Sequence, residues 1–237
     1  MKMKIGLSAI GVAMTMMCGA VQAVPVLANQ TVIPNISLIA PGGTLLASLI
    51  ESITAPTFSG TFRTAVYDGP EAGRNLDFYY QFTNSPNSAN SIGRVTGTDF
   101  DGFTTNVSQT AQAFGIFMGG DRAAATADRG PLGVVGFNML PVANLISQFP
   151  DLGTFLPRAN LGKLPPDEDS NTFIIRTNAT DYTTGFAGII NGTAASAHAF
   201  QPAPAIPEPG TNALIAAGLG LMGFIVRRRT KRDKPAA

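Results

Sequence analysis

The stretch from Leu76 to Thr83 alternates without a break, and it constrains the fold more than any other segment. Leu76, Phe78, Tyr80 and Phe82 fall on one side of an extended chain, with Asp77, Tyr79, Gln81 and Thr83 on the other. Successive strand side chains point to opposite faces, whereas a helix would scatter the four apolar residues around its circumference. The preceding segment behaves alike. Phe58, Gly60, Phe62, Thr64 and Val66 share one face, and Thr61, Arg63, Ala65 and Tyr67 the other. Between the two, Asp68 to Gly73 is a turn by composition. Strands with one apolar face predict that Phe62, Phe78, Tyr80 and Phe82 are buried.

Further strand candidates are Ile92–Thr98, Ala113–Met118, Gly133–Met139, Thr172–Asn178 and Phe186–Ile190. Asn191-Gly192, ahead of Thr193–Phe200, suits a two-residue type I′ turn, so a hairpin is expected there. Asn84–Asn90 reads as a polar loop, Ala123–Asp128 as a turn of helix, and Val142–Phe149 fits strand or helix. Asp151–Asn171, with Pro150, Pro157, Pro165 and Pro166 at or near it, reads as a long connection. Strand candidates at short intervals with no sustained 3.6-residue period predict an all-β fold. The expected form is an antiparallel β-sandwich, jelly-roll or Ig-like.

The two ends differ from the body. Lys2 and Lys4 precede an apolar run from Ile5 to Gly19, and Val21-Gln22-Ala23 closes it with small residues at the flanks. That is the plan of a secretory signal peptide cut between Ala23 and Val24. Cys18 follows Met16 and Met17, so a lipoprotein cut before it is disfavoured. At the other end an uncharged stretch runs from Pro209 to Val226, about 27 Å as a helix and a little short of the roughly 30 Å hydrocarbon core. Arg227, Arg228, Arg229, Lys231 and Arg232 follow at once, as a cytoplasmic stop would. The chain carries 16 basic and 15 acidic residues, yet six of the basic ones lie after Val226. The body is therefore mildly acidic, which excludes a basic nucleic-acid-binding face.

Pro207-Glu208-Pro209, an apolar helix and a terminal Arg cluster together resemble the PEP-CTERM sorting signal of Gram-negative bacteria. The resemblance implies export, transient anchoring by the helix, and cutting near the motif by an exosortase. It also implies association with exopolysaccharide or biofilm matrix. On that reading Pro207, Glu208 and Pro209 are recognition residues, 211–226 is the membrane helix and 227–234 the basic stop. Residues 1–23 are then the leader, 24–200 the extracytoplasmic domain and 201–206 a Pro-rich spacer. The two prolines fit such a role, since they hold the chain extended and deny it hydrogen-bonded structure. Leu76 to Val107 and Thr172 to Gln201 also look like the body shared by many PEP-CTERM proteins, which implies a common β domain and no activity.

Chemistry is sparse. With the leader gone, no cysteine remains for a disulfide, thiol or metal site. His198 is the sole histidine, it lies in a run of small residues, and no G-x-S-x-G nucleophile elbow is present. It reads as a strand residue near a domain edge. Gly218, Gly220 and Gly223 match G-x-G-x-x-G, but inside the apolar run and without a preceding strand. Asp99 and Asp101 are weak calcium candidates, since calcium wants several oxygens and no EF-hand continuation follows. Asp167–Asn171 reads as a solvated loop. Asp77 and Asp181 could serve as a glycosidase pair only if the fold joined them, and Arg176 reads as exposed or paired with an acid. Tyr79, opposite the buried face, is the aromatic left to stack on sugar. The expectation is a non-catalytic exported surface or matrix protein with no cofactor. The alternatives are a carbohydrate- or calcium-binding module and, last, a secreted hydrolase.

Overall fold

A computed structural model describes residues 23–37, 42–69, 75–139 and 162–203, together with 214, 215, 217–219, 221 and 222. The leader with Cys18, the Val142–Phe149 segment, Pro207–Pro209 and the basic residues from Arg227 onward lie outside the described residues.

Along the chain come β1 (Val24–Pro25), β2 (Gln30–Val32), β3 (Asn35–Ser37), β4 (Thr44–Thr54), β5 (Ser59–Asp68), β6 (Leu76–Asn84) and β7 (Arg94–Gly97). Then follow β8 (Thr105–Thr110), β9 (Thr126–Arg129), β10 (Val135–Asn138), β11 (Glu168–Asp169), β12 (Thr172–Thr177), β13 (Tyr182–Ile190) and β14 (Ala194–Pro202). They form two sheets. The first runs β1-β8-β12-β6-β5-β4, with β11 added to β6 and β3 to β8; the second runs β14-β13-β7-β10-β9-β2. All pairings are antiparallel except that of β3 with β8. The all-β expectation is therefore met.

One core lies between the sheets. The first sheet contributes Phe62, Val66, Phe78, Tyr80, Phe82, Phe173 and Ile175, and the second Val95, Val135, Phe137, Ala187, Ile189 and Ala197. Phe62, Phe78, Tyr80 and Phe82 are fully buried, as their alternation predicts. Phe137 stacks on Phe173 across the core with ring centroids 4.6 Å apart. Each fully buried side chain of this size contributes about 1.5–3 kcal/mol relative to an exposed one. Arg129 of β9 also ties the sheets together, donating to Thr105 Oγ1 at 3.0 Å and to the Phe100 carbonyl at 2.6 Å.

Part of the other face of the first sheet is covered as well. Ala65, Tyr67, Tyr79 and Ile174 pack there against Phe117, with Phe114 and Ile116 alongside. Ala113–Met118 is thus not a strand; it forms a tight turn in which Phe114 and Phe117 bond to each other and lie over β5 and β6. Its apolar residues serve as a lid on the sheet instead of extending it.

Other local readings also change. The Ala123–Asp128 segment contributes to β9 and is not helical, because Ala124 and Ala127 turn into the core. The hairpin at Asn191-Gly192 is present, but Ile190 pairs with Ala194, so the loop has three residues, 191–193. Gly192 takes a positive φ of 108° and Asn191 does not, which excludes type I′.

Candidate functional site

The acidic candidates are used structurally. Asp99 sits at a left-handed φ of 62°, and its Oδ2 accepts from Gln201 Nε2 at 2.6 Å. Asp101 is exposed two residues on. Among the described residues, no group of three or more His, Cys, Asp or Glu side chains is placed to hold a metal ion. Asp167–Asn171 is not a solvated loop. Glu168 and Asp169 pair with Asn84 and Thr83 of β6, Ser170 is fully buried, and its Oγ accepts the Phe82 N–H at 3.0 Å. Glu168 is bound by Arg122, and the Asp169 carboxylate accepts from the Thr83 hydroxyl.

Tyr79 is not available to a sugar. It is fully buried, with the Tyr67 ring 4.7 Å and the Phe114 ring 5.9 Å from its own. Burial, and after it the charge of Asp77, hold its phenol well above the ordinary range. His198 lies on β14 at the edge of the second sheet, with Nδ1 3.2 Å from Glu51 Oε2 and its ring beside Phe186. Asp77 and Asp181 are engaged separately. Asp77 is fully buried and receives the Arg176 Nε at 3.1 Å, so Arg176 is paired with an acid. Asp181 Oδ1 accepts the neighbouring Tyr182 N–H at 2.8 Å.

The register places Pro25, Asn106, Arg176 and Asp77 in one row across β1, β8, β12 and β6. Above that row opens a polar cleft of about 300 Å³, whose lining includes Ala23, Pro25, Asn75, Asn106, Arg176 and Asn178. Sequence reasoning missed it, because its residues come from four distant segments. Arg176 opposite Phe173 and Ile175 was the one legible hint.

The body remains zipped to its last described residue. Tyr182 pairs with Pro202, and the Ala203 N–H donates to the Asp181 carbonyl at 3.1 Å. The Gln201 side chain lies over Gly185, where any Cβ would collide with it. Gln201 and Pro202 thus belong to β14 and not to a spacer. Further on, Leu214, Ile215, Leu219, Leu221 and Met222 are helical and exposed. Among the described residues, no helix is long and apolar enough to cross a membrane.

The PEP-CTERM protein-sorting motif family matches residues 205–229. The chain carries that sorting motif. No curated protein and no solved structure matches it. A PEP-CTERM motif marks an exported protein of Gram-negative bacteria, sorted through an exosortase. The matched span begins two residues after Ala203 in the sequence.

Proposed function

We propose that this chain is a non-catalytic exported surface or extracellular-matrix protein, processed near Pro207–Pro209 and associated with exopolysaccharide or biofilm. The sorting motif over 205–229 carries the reading. The leader is cut between Ala23 and Val24, a reading supported by β1, which starts at Val24 and so survives the cut. The body is a β-sandwich of jelly-roll or Ig-like kind, a reading supported by two sheets sharing one core. Residues 211–226 anchor the chain while Pro207, Glu208 and Pro209 stay extended at the outer boundary, where the enzyme reaches them. Arg227, Arg228, Arg229, Lys231 and Arg232 stop translocation.

Because the uncharged stretch is short, the charges hold it more than its length does. Deleting Arg227–Lys234 is expected to let the anchor slip through the membrane. Fractionation of exporting cells should then find full-length chain outside the membrane and uncut. Membrane retention and normal shortening of the truncated form would contradict this role of the tail.

A further inference from the structure

Alternation along β9 points Arg129 at the core. Ala127, two residues earlier on the same face, belongs to the core cluster, and Val135, opposite Arg129, is fully buried. Arg129 itself is only 8% exposed. Asp128, between the two, is bound by Arg94 on the other face of the sheet. A guanidinium stays protonated in a protein, so β9 carries a full positive charge into an apolar interior.

The partners it meets there are neutral. Nη1 donates to Thr105 Oγ1 at 3.0 Å and Nη2 to the Phe100 carbonyl at 2.6 Å. The Thr105 hydroxyl hydrogen is itself engaged by the Val26 carbonyl at 2.8 Å. Nε is buried and has no hydrogen-bond partner. Among the described residues no carboxylate forms an ion pair with Arg129. Asp99 and Asp101 flank Phe100, but the first is held by Gln201 and the second is exposed.

A lone buried charge is costly without a counter-charge, and so is a buried donor without an acceptor. One anion beside Nε meets both requirements. The surroundings keep it small. Val26 and Phe100 are fully buried, and the turn after Arg129 closes tightly on the 99–103 loop. A Cβ on Gly133 would lie 2.1 Å from the Asp101 backbone nitrogen. A single-atom anion suits such a space better than a phosphate or a carboxylate.

We propose that Arg129 seats one monovalent anion of chloride size between the sheets, as a structural part of the folded body. This goes beyond the sorting reading and does not depend on it. The test uses full-length protein in detergent at fixed ionic strength, with sodium chloride replacing sodium gluconate, whose anion is too large for the site. Melting temperature is expected to rise with chloride, and bromide should act alike. Well above the dissociation constant, each tenfold rise in chloride should raise the folding equilibrium constant about tenfold. The protein should also broaden the chlorine NMR line, and bromide should reverse the broadening. Arg129→Met, close in length and uncharged, should abolish both effects. Arg129→Lys keeps the charge without Nε and should shift the chloride dependence to concentrations at least about tenfold higher, the scale of one lost charge-assisted hydrogen bond. If Arg129→Met does not fold, the Lys variant decides. Equal stability in the two salts, a chlorine line that the protein leaves unchanged, or variants that respond to chloride as the parent does would each overturn the proposal.

Discussion

Glu51 of β4 accepts the backbone N–H of His198 on β14 at 2.7 Å, joining the open edge of one sheet to the open edge of the other. Edge strands expose unpaired backbone groups that invite pairing with other chains. On β14 the carboxylate occupies one of those donors, while β4 itself exposes Leu45, Leu46 and Ile50. A bulge between Leu45 and Ala47 disturbs its register, which also discourages strand addition. Glu51→Ala is expected to lower stability by about 1 kcal/mol and to increase concentration-dependent association. Denaturant unfolding and light scattering check the two effects, and an unchanged monomer would refute the edge role.

Phe78 makes a T-shaped contact with Phe100, ring centroids 5.5 Å apart, in the middle of the shared core. Phe78→Ala should cost about 3–5 kcal/mol, since the cavity adds to the lost transfer energy. Tyr79→Ala, one residue on, should be destabilising as well, because it empties the second cluster under Phe114 and Phe117. If Tyr79→Ala proved neutral in denaturant unfolding, the outer face of the sheet would be open after all.

These two neighbours show what the sequence carries and what it hides. Leu76, Phe78, Tyr80 and Phe82 are legible because a single period-2 pattern points them at one core. The opposite face of β6 reads as solvated, yet it is buried. Three of its polar side chains are bonded within the fold: Asp77 to Arg176, Gln81 to the Met118 backbone and the Ser170 carbonyl, and Thr83 to Asp169. Period in residue type matches period in exposure only where nothing covers the polar side, and the covering turn, 113–118, is remote in sequence. The 11-residue β4 is illegible for a related reason, since its apolar residues fall on both faces of an exposed edge. By contrast, the sorting motif is local, and it can be read directly.

Arg94 binds Asp128 through both guanidinium Nη atoms, and Asn138 Nδ2 adds a bond to the same carboxylate at 2.6 Å. Burial is the largest single influence on Asp128 and raises its pKa, but the bonds from Arg94 and Asn138 outweigh it and hold the carboxyl below its ordinary value. A depressed folded pKa gives stability that is present above the unfolded value, near 3.9, and lost as pH falls through the folded one. Acid unfolding of the parent should therefore steepen below about pH 4, and Asp128→Asn should remove part of that dependence while lowering stability at neutral pH. Identical acid profiles for the two proteins would contradict the assignment. Gly136 belongs to the same arrangement: a Cβ there would collide with the Arg94 guanidinium, so Gly136→Ala should resemble the loss of the pair.

If the C-terminal motif directs this chain to an exosortase, the charge of Glu208 is the feature whose loss should stop processing. Glu208→Ala removes one charge while leaving both prolines, the apolar segment and the basic stop in place. In a Gram-negative host with the cognate exosortase, the measurement is chain mass and membrane association over time. The Glu208→Ala chain is expected to be exported and anchored but to stay full-length in the membrane, while the parent is shortened and leaves it. A variant that is shortened and released at the parent's rate would make the motif incidental and leave the chain an ordinary tail-anchored surface protein.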